Sequence, residues 1–246
     1  MRLHSLRVIA LVAAISFCAN ATAGIIFSHS ELSGLSAEAE FTLINATTLE
    51  IRYKNTSTGV PGGFSNSDQI LSGVSWDFGV PGFGVLGETK IISGSVKTGP
   101  TSASVNFSVT SVGANADVSG EFGFGNMDGT GALTNFVSSN TAVATPFGGA
   151  NLDGPVSIDG PQAGLVADPI VVPLGGLGAI QDEVIATLFL SGDPLLNLDF
   201  MYDNGVRFEY GSDAKFATVT PEPSTLALAA CGVTGLAAWG WRRRKR

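Results

Sequence analysis

Cysteine is almost absent from this 246-residue chain, and the two that occur, Cys18 and Cys231, lie in its end segments. The region between them can form no disulfide, so it must be held by a hydrophobic core. The same inventory excludes a cysteine nucleophile and a thiolate zinc site from that region. Histidine is nearly as scarce, with His4 close to the N-terminus and His29 alone thereafter. A Ser-His-Asp hydrolase would need His29 as its base. It stands so near the start of the folded region that an exposed residue on a fraying terminus is expected instead. Charge is low at 14%, and cations are few outside the ends. Of thirteen Lys and Arg, Arg2 and Arg7 open the chain and five close it, leaving six against twenty acids over residues 24–218, a net −14. Nucleic acid is thereby excluded as a partner, because phosphate binding needs clustered cations.

What is present is most informative at the two ends. Arg2 and Arg7 precede an apolar stretch, Val8 to Phe17, and Ala21-Thr22-Ala23 supplies a small-x-small cleavage site. Residues 1–23 read as a signal peptide removed by signal peptidase between Ala23 and Gly24. Cys18 follows Phe17, so the sequence lacks the small residue that a lipoprotein site would place before its cysteine. At the other end stand Pro221, Glu222 and Pro223, then an uncharged run from Leu226 to Trp241, then Arg242, Arg243, Arg244, Lys245 and Arg246. Sixteen helical residues rise roughly 24 Å, close to the about 30 Å of a hydrocarbon core. The basic cluster reads as a stop-transfer signal that stays cytoplasmic, with Trp239 and Trp241 at headgroup depth. Pro221 and Pro223 keep the preceding chain extended and open to a protease.

This order resembles the PEP-CTERM sorting signal recognised by exosortases, membrane-embedded cysteine proteases of bacteria that make extracellular polysaccharide. The resemblance implies export, transient anchoring by residues 219–246, cleavage near Pro221-Glu222-Pro223 by an exosortase, and delivery to the cell surface. The body shows a softer resemblance to exosortase-dependent surface proteins with no assigned activity. It is carried by Leu49-Glu50-Ile51 leading to Asn55-Thr56-Ser57, by Leu71 to Asp77, and by Val206 to Gly211.

Residues 24–218 are rich in Gly, Ser, Thr, Val and Phe, with apolar residues at period two in short runs. This predicts an all-β domain, an antiparallel β-sandwich or jelly roll, without strong helical periodicity. One hairpin can be set in register. Pairing Leu43 with Leu49 brings Phe41 to Ile51 and Ala39 to Tyr53, while Glu40 meets Arg52 and Glu38 meets Lys54 on the other face. A second hairpin around Asp203-Asn204-Gly205, with Gly205 in the left-handed region, would pair Tyr202 with Val206, Phe200 with Phe208 and Leu198 with Tyr210. Gly73 to Phe78, Ser104 to Val112 and Val184 to Leu190 read as further strands. Gly120 to Gly131 and Phe147 to Leu165 read as long loops.

Asp128, Asp153 and Asp159 sit beside glycines on these loops. They are calcium candidates, against the plainer reading of solvent-exposed Asx-Gly turns. No other cofactor is indicated. Trp76, between Val74 and Phe78, reads as core. The inventory therefore favours a non-enzymatic surface or matrix protein. A carbohydrate-binding module gripping extracellular polysaccharide is the second reading. A glycoside hydrolase or lyase using two carboxylates is the third.

Overall fold

The computed structural model describes residues 24–77, 89–107, 110–126, 135–140, 143–152, 158, 160, 162–191, 205–212 and 215–219. The signal segment 1–23 and residues 220–246 lie outside this set. Among the described residues fourteen strands form, in chain order: β1 Ile25–Ser30, β2 Ser36–Asn45, β3 Thr48–Asn55, β4 Leu71–Trp76, β5 Ile91–Thr98, β6 Ala103–Val105, β7 Gly123–Gly125, β8 Asn135–Ser138, β9 Thr145–Pro146, β10 Leu165–Val166, β11 Ala179–Gln181, β12 Glu183–Leu190, β13 Val206–Tyr210 and β14 Lys215–Val219. The described residues contain no α-helix and one short 3-10 turn, Ser119–Glu121. The protein is all-β.

Five strands make the first sheet, in the order β1-β2-β3-β12-β5, all antiparallel. The predicted register of the first hairpin is the observed one, from Leu43↔Leu49 to Glu38↔Lys54. Alternation fixes it, because a slip of one residue would put Phe41 and Ile51 in solvent and Glu40 in the core. Extended across the sheet, the register creates rows of like character. One core row runs Ile25, Phe41, Ile51, Ala186, Val96, and the next runs Phe27, Ala39, Tyr53, Val184, Thr98. The opposite face carries Glu40, Arg52, Ile185, Lys97 and, beside it, Glu38, Lys54, Glu183.

Nine strands make the second sheet. β4 lies at its centre, with β13 along one edge. Its other edge is divided, β8 pairing Gly73 to Trp76 and β10 meeting Leu71. All six β4 residues are buried. Gly73 is required there, since a Cβ would stand 2.7 Å from both the Ser138 Cβ and the Val137 carbonyl oxygen. Val74, Trp76, Val137, Leu165, Val206 and Phe208 of this sheet share one core with Phe27, Phe41, Ile51 and Leu188 of the first. Phe41 joins the two sheets, meeting Trp76 edge-to-face at 5.4 Å and Phe27 at 5.5 Å.

The two ends of this arrangement are distinct. At one, the Asn55 amide donates to the Gln69 and Leu165 carbonyls, both at 3.0 Å. At the other, the Asn126 side chain brackets Ile91, accepting from its N–H at 2.7 Å and donating to its carbonyl at 3.2 Å. Trp76, Asn135, Val206 and Val219 stand in register at this second end.

Several expectations are corrected. β10 and β11 run parallel, so the second sheet is mixed. Sheets of five and nine strands also depart from the eight-strand jelly roll. Both edges of β13 are occupied, by β4 and by β14, at every residue from Val206 to Tyr210. A strand has two edges, so the pairing of β13 with Leu198 to Tyr202 is ruled out; that arm lies outside the described residues. Gly205 does adopt the expected left-handed conformation, φ 75°. The strand expected over Ser104 to Val112 is only three residues long, Ala103–Val105. Asn106 turns at φ 59° and the Ser104 N–H is met by the Val112 carbonyl at 2.9 Å. The loop expected over Gly120 to Gly131 contains β7, and β1, β5 and β8 are strands that the pattern did not reveal.

Candidate processing site at the C-terminal junction

β14 is the last element among the described residues. Antiparallel pairing with β13 runs from Tyr210↔Lys215 to Val206↔Val219. The turn before it uses Gly211 at φ 66°, where a side chain would be strained. β13 is in turn locked by burial of Val206, Phe208 and Tyr210 and by its ladder to β4. The Ser72 hydroxyl donates to the Glu209 and Gly211 carbonyls at 3.1 and 3.2 Å, where that ladder shifts register. Val219 is the last described residue of the sheet, and Pro221 follows two residues later in the sequence. A peptide bond broken at or beyond Pro221 leaves every described strand whole, whereas one broken before Val219 removes β14 pairing.

The residues singled out for processing, Pro221, Glu222, Pro223 and Arg242 to Arg246, lie outside the described set, as do Ala21 and Ala23. The calcium candidates Asp128, Asp153 and Asp159 lie outside it too. Asn126, at the head of the first candidate loop, is engaged with Ile91 as described. Among the described residues no group of three or more His, Cys, Asp or Glu could hold a metal ion. His29 is not on a frayed terminus: it lies in β1 opposite Ala37, and its Nε2 is 3.3 Å from Glu31. The signal was the alternation of Ile25 and Phe27 with Ile26 and Ser28. Val74 and Trp76 are core, as expected; Phe78 is outside the described residues.

Two sheet carboxylates that nothing in the sequence singles out, Glu183 and Glu209, are engaged with groups on neighbouring strands. Glu183, at 7% exposure, has its backbone N–H and carbonyl satisfied by the Ser102 hydroxyl, and its carboxylate is 3.8 Å from Arg52. Burial pushes its carboxyl above the ordinary 4.5, with Arg52 opposing. Glu209 accepts from Ser138 at 3.0 Å and from the Asn140 amide at 3.1 Å, and that amide also donates to the Gly211 carbonyl at 2.9 Å. Each set ties neighbouring strands together. Burial also raises the Tyr53 and Tyr210 hydroxyls well above the tyrosine range, so both stay neutral in the core.

Residues 219–245 match the PEP-CTERM protein-sorting motif. No curated protein and no solved structure matches the chain. The chain thus ends in a sorting signal of the class processed by exosortases. That signal implies an exported, surface-directed protein whose folded part is the all-β domain described above.

Proposed function

We propose that the chain is exported by its N-terminal signal, held in the membrane by Leu226 to Trp241, and clipped by an exosortase near Pro221-Glu222-Pro223. The acidic β-sandwich is then retained in or near the exopolysaccharide as a structural or interaction protein without enzymatic activity. The observation that carries this reading is the junction. The sorting motif begins at Val219, the last residue of the last described strand, so cleavage at Pro221-Glu222-Pro223 would leave every described strand whole. The region is also poor in catalytic types, with a single histidine and no cysteine between Cys18 and Cys231. The net −14 of residues 24–218 suits a protein that stays dispersed among polymers.

The test is mass mapping of both termini in cells with and without the sorting protease. The expected product begins at Gly24 and ends after Val219. It is replaced by a chain retaining Arg242 to Arg246 when the protease is deleted. Recovery of the intact C-terminus from the surface of protease-competent cells would refute the processing step.

A further inference from the structure

Three of the four exposed large apolar side chains of the first sheet stand at one end, where backbone irregularities put two of them; the fourth, Ile26, lies in the charged row of Glu40 and Arg52. Between Leu43↔Leu49 and Asn45↔Thr48 the β2 register shifts, leaving Ile44 as an extra residue, 50% exposed. Between Phe189↔Ser93 and Leu190↔Ile91 the β12–β5 register shifts, leaving Ile92 as an extra residue, 61% exposed. Phe189, 47% exposed, stands between them on β12, opposite Thr48 and Ser93. Bulges re-aim side chains. Here two of them flank an outward phenylalanine in a band four strands wide, about 14 Å at ordinary strand spacing. The row below it, Thr42, Glu50, Thr187, Ser95, separates this band from the charged rows of Arg52 and Lys54. Leu32 is also fully exposed, but it stands in the turn at the opposite end, and isolated surface apolar residues are ordinary.

The last described residue, Val219, stands at this same end. Val219 shares its row with Val206 and Trp76, and Asn126 fastens that end of the second sheet to Ile91 of the first. Seven Cα steps from Val219 to Leu226 reach at most about 25 Å when fully extended. With Leu226 to Trp241 in a bilayer, Val219, and with it this end of the domain, is held within that distance of the lipid. Tethering makes the contact intramolecular, so a small apolar area suffices.

From this we infer that, before cleavage, the domain rests on the outer bilayer surface through Ile44, Phe189 and Ile92, presenting the 220–225 segment to the membrane-embedded protease at a fixed height. The occupant of the band is lipid. The inference rests on the membrane-spanning reading of the tail. The acidic domain should favour zwitterionic over anionic lipid.

The test uses the full-length chain with Cys18→Ser and Cys231→Ser, reconstituted in phosphatidylcholine vesicles. An environment-sensitive fluorophore is placed at Ala46→Cys, in the β2–β3 turn, or at Leu32→Cys, at the far end. Carbonate-resistant association first shows that the tail is inserted; its failure overturns the tail reading and this inference together. With the tail inserted, doxyl-lipid quenching at position 46 but not at 32 is expected. Ile44→Ser, Phe189→Ser and Ile92→Ser should each weaken the quenched state roughly three- to tenfold, as half-burial of such side chains implies. Circular dichroism checks the fold of each variant, and the three single substitutions keep the test open should a triple variant fail to fold. Equal quenching at both positions, quenching indifferent to all three substitutions, or energy transfer between copies in place of quenching would overturn the inference.

Discussion

Replacing Phe41 by Ala tests whether the two sheets share one core. Phe41 is fully buried in β2, and its ring meets Phe27 of its own sheet at 5.5 Å and 81° and Trp76 of the other at 5.4 Å and 69°. Truncating a buried phenylalanine removes its transfer energy and leaves a cavity, together about 3–5 kcal/mol. Two edge-to-face contacts, each about 0.5–1.5 kcal/mol beyond area, place this site toward the upper part of that range. A loss of about 4 kcal/mol is a large fraction of the 5–15 kcal/mol typical of a whole domain. It corresponds to roughly 8–16 °C in Tm for a chain of this size. The assay is urea unfolding of the chain ending at Thr220, with Ile26→Ala as control. Ile26 lies in β1, 48% exposed on the outer face, and its truncation should cost less than about 1 kcal/mol. If Phe41→Ala lost no more than Ile26→Ala, the sheets would not be packed through this ring and the sandwich reading would fail.

Asn55→Ala should cost about 2–4 kcal/mol in the same assay, because the Gln69 and Leu165 carbonyls and the Ser57 N–H lose their partner inside the protein. Full retention of stability would show that this end is not fastened by Asn55. Tyr53→Phe should leave stability unchanged or raise it by about 1 kcal/mol, since the Tyr53 hydroxyl is buried without a hydrogen-bond partner among the described residues; a clear loss would mean that the hydroxyl is satisfied. Glu183→Gln should change how stability depends on pH. Its folded carboxyl is raised above 4.5, so its contribution is full below that value and is lost as pH rises through the folded value. Unfolding at several pH values should show the parent losing stability relative to Glu183→Gln across that window, and a difference that is flat or of opposite sign would refute the burial argument.

The sequence revealed β2 and β3 because both faces carried information: apolar residues matched at three positions while Glu38 and Glu40 met Lys54 and Arg52. The β13 pairing failed for a related reason. Val206, Phe208 and Tyr210 show which face is buried, but face alternation is silent about which strand lies at each edge. Trp76 and Val74, more than a hundred residues away, take one edge, and β14 takes the other. β5 was hidden by its Ser93-Gly94-Ser95 centre and by Ile92, whose bulged position breaks the alternation. β7 was hidden because Gly123 and Gly125 are needed where Phe136 and Thr145 crowd the backbone, and glycine reads as loop.

The sorting segment was legible for the opposite reason. Its Pro-Glu-Pro motif, apolar run and basic end act as a linear string, so no tertiary contact had to be inferred to read them. The function of the β-domain depends on which surfaces are presented, and that is decided by register. The same shift that hid β5 turned Ile92 outward, and the one in β2 did so for Ile44. Where alternation breaks down, the pattern stops reporting burial, and a side chain freed from the core can serve a contact outside the fold. The departures from alternation at Ile44 and Ile92 are thus both where strand assignment from sequence is weakest and where this domain meets its surroundings.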